Sequence, residues 1–351
     1  MRVLQVDAGR EWRGGQNQVR LLTRELARER EIEQRLVTNR GGELARRAAA
    51  EGVTVHGVRW AISLDPRAAF DLLVLMNEFR PDVVHAHDSH ALTLVRWTRR
   101  WVDWEADPPP IVATRRVDFH VRRGSGWFRV ETVIAVSDAV RRVLVADGMP
   151  ETGITVIPDG IDPDEVRTRA TAPLDIRARF GLAPGTPLAV NVAALVDHKD
   201  HHTLIRAAAH ARSGCPELHW AIAGEGALRH SLEREIADHA VGDRVHLLGY
   251  VSEADALIRE ADVFVMSSKE EGMGSVILHA LALEKPVVAT AAGGIPEVLP
   301  AECLVPVGDA TALGAKVVEA ITHPPSPVPL PLKFTAKSMA RATLALYHAL
   351  V

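Results

Sequence analysis

The sequence predicts an α/β protein made of two doubly wound units, each a mainly parallel sheet with helices on both faces. Short β-rich apolar runs alternate with amphipathic helical stretches along nearly the whole chain, the pattern of parallel strands joined by crossover helices. The alternation breaks once, near the middle, at a stretch rich in Pro and Gly. A chain of 351 residues is also too long for one ordinary core, so two domains of roughly 150–180 residues are the natural division.

In the first half, strands are expected over 2–6, 34–38, 53–58, 83–87, 111–114, 133–136 and 154–157. Helices fall between them over 16–30, 43–51, 67–79, 90–102 and 137–147, the last with Ser137 at its N-cap. The break, GIDPDEVRTRATAPLDIRARFGLAPGTP, reads as the crossover between domains. A second unit then begins with a strand over 188–193 and continues with strands over 219–223, 245–248, 263–266, 287–289 and 304–305. The proline-rich HPPSPVPLPLK precedes a final amphipathic helix over 335–350, expected to cross back to the first domain. The division is therefore 1–165 with 334–351, and 166–333. Open parallel sheets bind ligands at the carboxyl ends of their strands, so the two units should face a shared cleft there.

Composition removes several classes of function. At 47% hydrophobic and 25% charged residues the chain is an ordinary globular protein. A net charge of −4 argues against nucleic acid as a partner, because binding a polyanion needs a dominant basic face. Two cysteines, Cys215 and Cys303, offer no disulfide framework, and no apolar run reaches 18 residues, so a cytoplasmic location is expected. The first strand is too short for a signal-peptide core.

The stretch SSKEEGMGSVILHALALEKPVVATAAGGIPEVL carries the most chemistry. A strand ends, and a glycine-spaced loop presents Glu270 and Glu271 before a helix opens near Ser275. Gly272 and Gly274 allow a ligand close to the backbone, and the helix start offers unpaired N–H groups to phosphate or hydroxyl oxygens. His279 stands eight residues after Glu271, about two helical turns, so both can face one side. The next strand delivers Gly293 and Gly294 before Pro296.

With WRGGQNQV, PDVVHAHD, VIAVSDAV, VIPDGID, LVDHKDHHTLI, AIAGEGALR and VHLLGYV in that order, this segment resembles the family 4 glycosyltransferases, retaining enzymes of the GT-B fold. Their usual donor-site form is E-x7-E followed by PVVAT-x-x-GG-x-PE. The resemblance implies a sugar moved from a nucleotide diphosphosugar, with uridine diphosphate the expected carrier, to a hydroxyl of a glycan or glycolipid in cell-envelope synthesis. It implies a hexosyltransferase needing neither metal nor other cofactor. Glu271 would bind sugar hydroxyls, the position of His279 would face the ribose, and Lys199 would neutralise the diphosphate. Gly14 and Gly15 would approach the same phosphates, and Gly224, Gly249 and Tyr250 would border the base. Gly272, Met273, Gly274 and Ser275 would complete the donor loop. Lys199 and backbone dipoles would assist departure of the diphosphate, which would itself take the acceptor proton. Glu271 and Lys199 are thus the catalytic candidates.

Three positions depart from the family form. His279 replaces the second glutamate, and Ala194 stands where an arginine is usual. The loop after the strand over 111–114 reads Arg115, Arg116, Val117, Asp118, where many members carry a histidine. Arg115, Arg116 and Asp118, with His87 and Asp88, are the acceptor-side candidates. For His85 and His87 the plainer reading is buried hydrogen bonding. His198, His201 and His202 cluster without the rigid third ligand that a metal site requires. Asp162-Pro-Asp164 imitates a metal-binding DxD but sits where Asp caps a helix. Other GT-B chemistry, such as an epimerase or phosphorylase, and a catalytically degenerate donor-binding scaffold are the alternatives.

One feature lies outside the donor site. Trp97, Trp101 and Trp104 recur at helical spacing, interleaved with Arg96, Arg99 and Arg100. They either cover the domain's own core or place a face against the headgroups of the inner side of a membrane.

Overall fold

The computed structural model describes residues 1–62, 64–104 and 107–351. These residues form two compact units, Met1–Ile161 with Leu332–Val351, and Asp162–Pro331.

The first unit holds seven parallel strands: β1 (Arg2–Val6), β2 (Glu33–Asn39), β3 (Val55–Val58), β4 (Val83–Ala86), β5 (Ile111–Arg115), β6 (Thr132–Ala135) and β7 (Ile154–Val156). Their order is β3-β2-β1-β4-β5-β6-β7, so the winding reverses between β1 and β4. Helices α1 (Gly14–Leu26), α2 (Glu43–Ala50), α3 (Pro66–Phe79), α4 (Ser89–Thr98) and α5 (Asp138–Ala146) make the crossovers. Strands covered on both faces should be apolar throughout rather than alternating, and β4 and β6 are buried at every residue. Ser137 caps α5 through Val140 N at 3.1 Å, as its sequence position predicted.

The second unit begins inside the Pro- and Gly-rich crossover. That stretch is more ordered than its composition suggests, because it forms α6 (Pro163–Arg169) and α7 (Ile176–Arg179). Asp162 caps α6 by accepting from Asp164 N and Glu165 N, each at 3.1 Å, which accounts for the DxD-like sequence. Six parallel strands follow: β8 (Leu188–Val192), β9 (His219–Ala223), β10 (Val245–Gly249), β11 (Val263–Met266), β12 (Val287–Thr290) and β13 (Leu304–Val305). The order β10-β9-β8-β11-β12-β13 repeats that of the first unit less its last strand, with the reversal between β8 and β11. The crossovers are α8 (His201–Ala211), α9 (Arg229–Asp238), α10 (Ala254–Glu260), α11 (Ser275–Ala282) and α12 (Ala310–Thr322).

The last helix, α13 (Ala336–Leu350), returns to the first unit. Met339, Ala340 and Tyr347 lie on one face of it and pack with Leu21, Leu22 and Leu26 of α1 against the sheet. The outgoing and returning chains pair where Ile161 N donates to Phe334 O at 3.0 Å and Ala336 N donates to Ile161 O at 2.8 Å. Gly160 makes that approach possible, since a Cβ there would lie 2.4 Å from Thr335 backbone atoms.

Several expected boundaries shift, and α1 ends at Leu26 rather than residue 30. The first strand's loop is shorter than the sequence implied, so α1 starts at Gly14 instead of residue 16. Strand β3 starts at Val55, because Val53 is drawn into the packing of α2 against the sheet. Helix α4 stops at Thr98 and tightens into a single 3₁₀ turn, Arg99–Trp101.

Candidate active site

In open parallel sheets the crevice for ligands opens where the strand order reverses, outside the carboxyl ends. In the second unit that point lies between β8 and β11, and the loops leaving these strands are stitched together. Ser267 Oγ donates to Lys199 O at 3.0 Å and Lys269 N donates to His198 O at 2.8 Å. Ser267 and Ser268 are fully buried, which fixes the start of the second loop.

This stitching brings Lys199 Nζ onto Glu271 Oε2 in a direct ion pair. Ser268 Oγ also donates to Glu271 Oε2 at 3.2 Å, and Gly294 N donates to Glu271 O at 2.9 Å. The β12 loop therefore supports the Glu271 backbone from behind. Both charged side chains are largely buried, at 18% and 13% exposure. Glu270, by contrast, is exposed. Immediately beyond, Gly274 takes φ +78° as the N-cap of α11, with no side chain capping the helix. Ile277 N donates to Gly274 O at 2.8 Å, so the N–H groups of Ser275 and Val276 are the ones left for an anion or hydroxyl. A Cβ at Gly274 would meet Ile277 Cδ1 at 3.1 Å, so the turn is tight as well as left-handed.

Gly224 and Gly249 shape the neighbouring edge. Gly224 has φ +152°, and a Cβ there would lie 1.8 Å from Ala193 O. Its N–H donates to Gly249 O at 2.8 Å, and Tyr250, the next residue, is exposed. Met273, in the loop between β11 and α11, is buried. His201 sits buried at the first turn of α8 with neither ring nitrogen hydrogen-bonded, while burial and the adjacent Lys199 push its pKa down to about 4.

His279 lies one turn into α11, and its Nδ1 is 2.6 Å from Asp255 Oδ1. Asp255 is buried at the start of α10, and its other oxygen accepts from Arg169 Nε at 2.6 Å. Burial disfavours the Asp255 charge, but the hydrogen bond from His279, with Arg169 beside it, outweighs burial and holds the carboxyl below its ordinary range.

In the first unit, polar side chains also gather at the order reversal, after β1 and β4. Asp88 caps α4 through His90 N at 2.8 Å and Ala91 N at 2.9 Å, and its other oxygen accepts from Ala8 N at 2.7 Å. Its oxygens therefore hold backbone. His85 is buried between Tyr347 Oη at 2.5 Å and Thr114 Oγ1 at 2.6 Å, which is the plainer of its two readings. His87 Nε2 lies 2.8 Å from Gln5 Oε1, while its buried Nδ1 has no partner. Burial pushes both histidines well below the ordinary imidazole pKa.

Arg116 Nε donates to the buried Asp159 at 3.1 Å, and its Nη1 reaches His87 O at 3.4 Å. Burial, with Asp88 nearby, raises Asp7 to about 6. Arg115 turns away from this cluster, donating to Phe119 O at 2.7 Å and lying 5.2 Å over the Trp127 ring. Asp118 is half-buried in the same loop. Gly15 lies in the first turn of α1, a helix whose N-cap, Arg13, supplies no side-chain acceptor.

The family model for Glycosyl transferases group 1 matches residues 174–336, and that for Glycosyltransferase Family 4 matches residues 12–165. Together they account for most of both units. The chain belongs to the family 4 glycosyltransferases.

Among relatives of this family 4 glycosyltransferase, the 2-deoxystreptamine glucosyltransferase of Streptomyces kanamyceticus is 27% identical over 82% of this chain and 72% of its own length. The GDP-mannose-dependent alpha-(1-6)-phosphatidylinositol monomannoside mannosyltransferase of Mycolicibacterium smegmatis is 30% identical over 56% of this chain and 51% of its own. The match thus spans about half the length of that relative. The crystal structure of HepE from Anabaena in complex with UDP and glucose superimposes with a TM-score of 0.77 at 20% identity, covering 99% of this chain and 95% of that one. At that identity the likeness is one of fold, the two Rossmann-like units of the GT-B class.

Several residues of this glycosyltransferase were not singled out in the sequence. Asp255 reads there as an ordinary first-turn acid and Arg169 as one charge of a linker. Asp7, Asp159 and Tyr347 likewise carry no local signal, because their partners are remote in sequence. The tryptophan stripe is not one helical face. Trp97 ends α4, Trp101 is in the 3₁₀ turn, and Trp104 lies beyond it with Nε1 donating to Arg99 O at 3.0 Å. Trp97 and Trp101 are 44% and 66% exposed, with ring centroids 6.0 Å apart, so these two do not cover a core. Among the described residues no helix is long and apolar enough to cross a membrane.

Proposed function

We propose that the second unit binds a nucleotide diphosphosugar and that the protein transfers the sugar to a hydroxyl acceptor with retention of configuration. The observation that carries this reading is the Lys199–Glu271 pair beside the uncapped start of α11. A cation, a carboxylate and unpaired N–H groups on one rim match the three needs of such a donor: phosphate charge, sugar hydroxyls and a developing leaving-group charge.

In this mechanism Lys199 and the N–H groups of Ser275 and Val276 at the start of α11 hold the diphosphate and stabilise its charge as the glycosidic bond breaks. Glu271 accepts from sugar hydroxyls, and its support by Ser268 and Gly294 keeps it in place. The departing diphosphate takes the proton of the attacking hydroxyl, so no metal is needed. Gly272, Met273 and Ser275 line the donor loop, and Gly224, Gly249 and Tyr250 border the base. The first unit supplies the acceptor side through Arg116, His87 and the loop carrying Arg115 and Asp118, with Asp88 fixing the backbone there.

A hexose donor and an envelope glycan or glycolipid acceptor are the substrates proposed. The relatives' names support this range, since they include a glucosyltransferase and a phosphatidylinositol mannoside mannosyltransferase. We place the protein in the cytoplasm, with Trp97 and Trp101 touching the inner face of the membrane.

The test is incubation of the purified protein with UDP-glucose, GDP-mannose and other nucleotide diphosphosugars. Slow release of one free nucleoside diphosphate is expected, accelerated by the right acceptor. Absence of both release and binding across the panel would overturn the reading.

A further inference from the structure

We propose that Asp255 is a positioning residue that locks His279 as a single hydrogen-bond acceptor for one ribose hydroxyl of the donor nucleotide. This rests on the donor-site reading above.

Both oxygens of Asp255 are engaged by charged or ring donors: Oδ1 with His279 Nδ1 at 2.6 Å and Oδ2 with Arg169 Nε at 2.6 Å. Arg169 is itself shared with Glu165, so the guanidinium is fixed from two sides. Asp255 is buried, and one oxygen faces His279 while the other faces Arg169. An ionised carboxylate has no hydrogen to give, so the hydrogen in the His279–Asp255 bond resides on Nδ1. In the neutral imidazole this leaves the lone pair on Nε2, and the partner of one nitrogen sets the role of the other. Among the described residues Nε2 has no hydrogen-bond partner, and the His279 side chain keeps 17% exposure. A carboxylate at position 279 would accept from two vicinal hydroxyls. An imidazole held in this way accepts from one.

Asp255→Asn inverts the arrangement. The amide oxygen stays toward the Arg169 guanidinium, so the NH2 faces Nδ1 and the hydrogen of the ring moves to Nε2. An acceptor becomes a donor without loss of shape, the same logic by which an Asp-to-Asn change at a catalytic triad imposes the wrong tautomer.

The experiment is calorimetric titration with UDP and GDP, followed by the 2′-deoxy and 3′-deoxy analogues of whichever binds. For the unaltered protein, loss of one hydroxyl should weaken binding about threefold to tenfold, the range of one neutral hydrogen bond, while loss of the other changes nothing. A ribose O-methyl analogue at the read position, which accepts but cannot donate, should bind the unaltered protein about threefold to tenfold more weakly than the ribonucleotide, and Asp255→Asn, with Nε2 now a donor, should narrow that gap. Asp255→Asn combined with His279→Glu should make both hydroxyls matter. Equal weakening of ribonucleotide and O-methyl analogue by Asp255→Asn would mean that Asp255 only braces α10 against α11, overturning the proposal. So would an unaltered protein that senses both hydroxyls or neither, a result that needs no variant. Failure of every nucleoside diphosphate to bind would instead sink the donor-site reading itself.

Discussion

Lys199, on the loop after β8, and Glu271, on the loop after β11, form an ion pair across the point where the strand order of the second unit reverses. They are 72 residues apart in the chain. Each neutralises the other while the site is empty, so neither charge is stranded in a largely buried place. Under the proposed function a diphosphate would compete for Lys199 and sugar hydroxyls for Glu271, replacing this contact.

Lys199→Ala is expected to lower kcat by roughly 100- to 1000-fold, the usual cost of removing one preorganised charge-stabilising donor. The substitution also removes the ion-pair partner of the largely buried Glu271, so some stability is lost with it. Adding Glu271→Gln should recover the melting temperature without recovering turnover. Steady-state kinetics beside thermal unfolding separates the two effects.

Gly224→Ala should destabilise the second unit by about 2–5 kcal/mol, combining backbone strain with overpacking. The φ of +152° and the 1.8 Å approach to Ala193 O leave no relaxed position for a methyl group. Gly185→Ala, at φ +83° in open space, should cost only about 1 kcal/mol. Urea denaturation of both variants gives the comparison.

Tyr347→Phe removes the hydroxyl that meets His85 Nδ1 at 2.5 Å and Gln5 Nε2 at 3.3 Å. Both groups are buried, so their loss of a partner should cost about 1–3 kcal/mol. Early loss of α13 should accompany it, seen as faster hydrogen exchange of that helix.

Asp7 titrates near 6 in the folded chain, from an ordinary value of 3.8. The folded chain thus holds this proton more tightly than the unfolded chain does. Its contribution to stability is greatest below the lower value and falls as pH rises through the upper one, by at most about 3 kcal/mol. Asp7→Asn should flatten the decline between pH 4 and 6 and raise stability at neutral pH. Unfolding free energies measured across that window check it.

Trp97→Ala with Trp101→Ala should abolish co-sedimentation with anionic liposomes while leaving release of nucleotide from a soluble donor intact. Trp104→Ala should have a smaller effect, because its ring nitrogen is committed to Arg99 O. Equal sedimentation of all variants would remove the membrane from the proposed function.

The sequence alone determined the elements that local chemistry controls. Apolar strand runs, caps such as Ser137 and Asp162, and the glycine-spaced donor loop were legible, because period and turn chemistry are written within a few residues. The ordered motifs also pointed to Glu271, Lys199 and His279, of which the fold brings the first two into contact. The tertiary structure decided what those residues touch. No periodicity links Lys199 to Glu271, His279 to Asp255, or His85 to Tyr347, since these contacts depend on which strand ends and helix faces the sheet brings side by side. The same holds for the tryptophans. Their spacing promised one helical face, but α4 tightens at Arg99, leaving Trp97 and Trp101 exposed and tying Trp104 to backbone. Their exposure depends on how the chain ends that helix, which spacing does not encode.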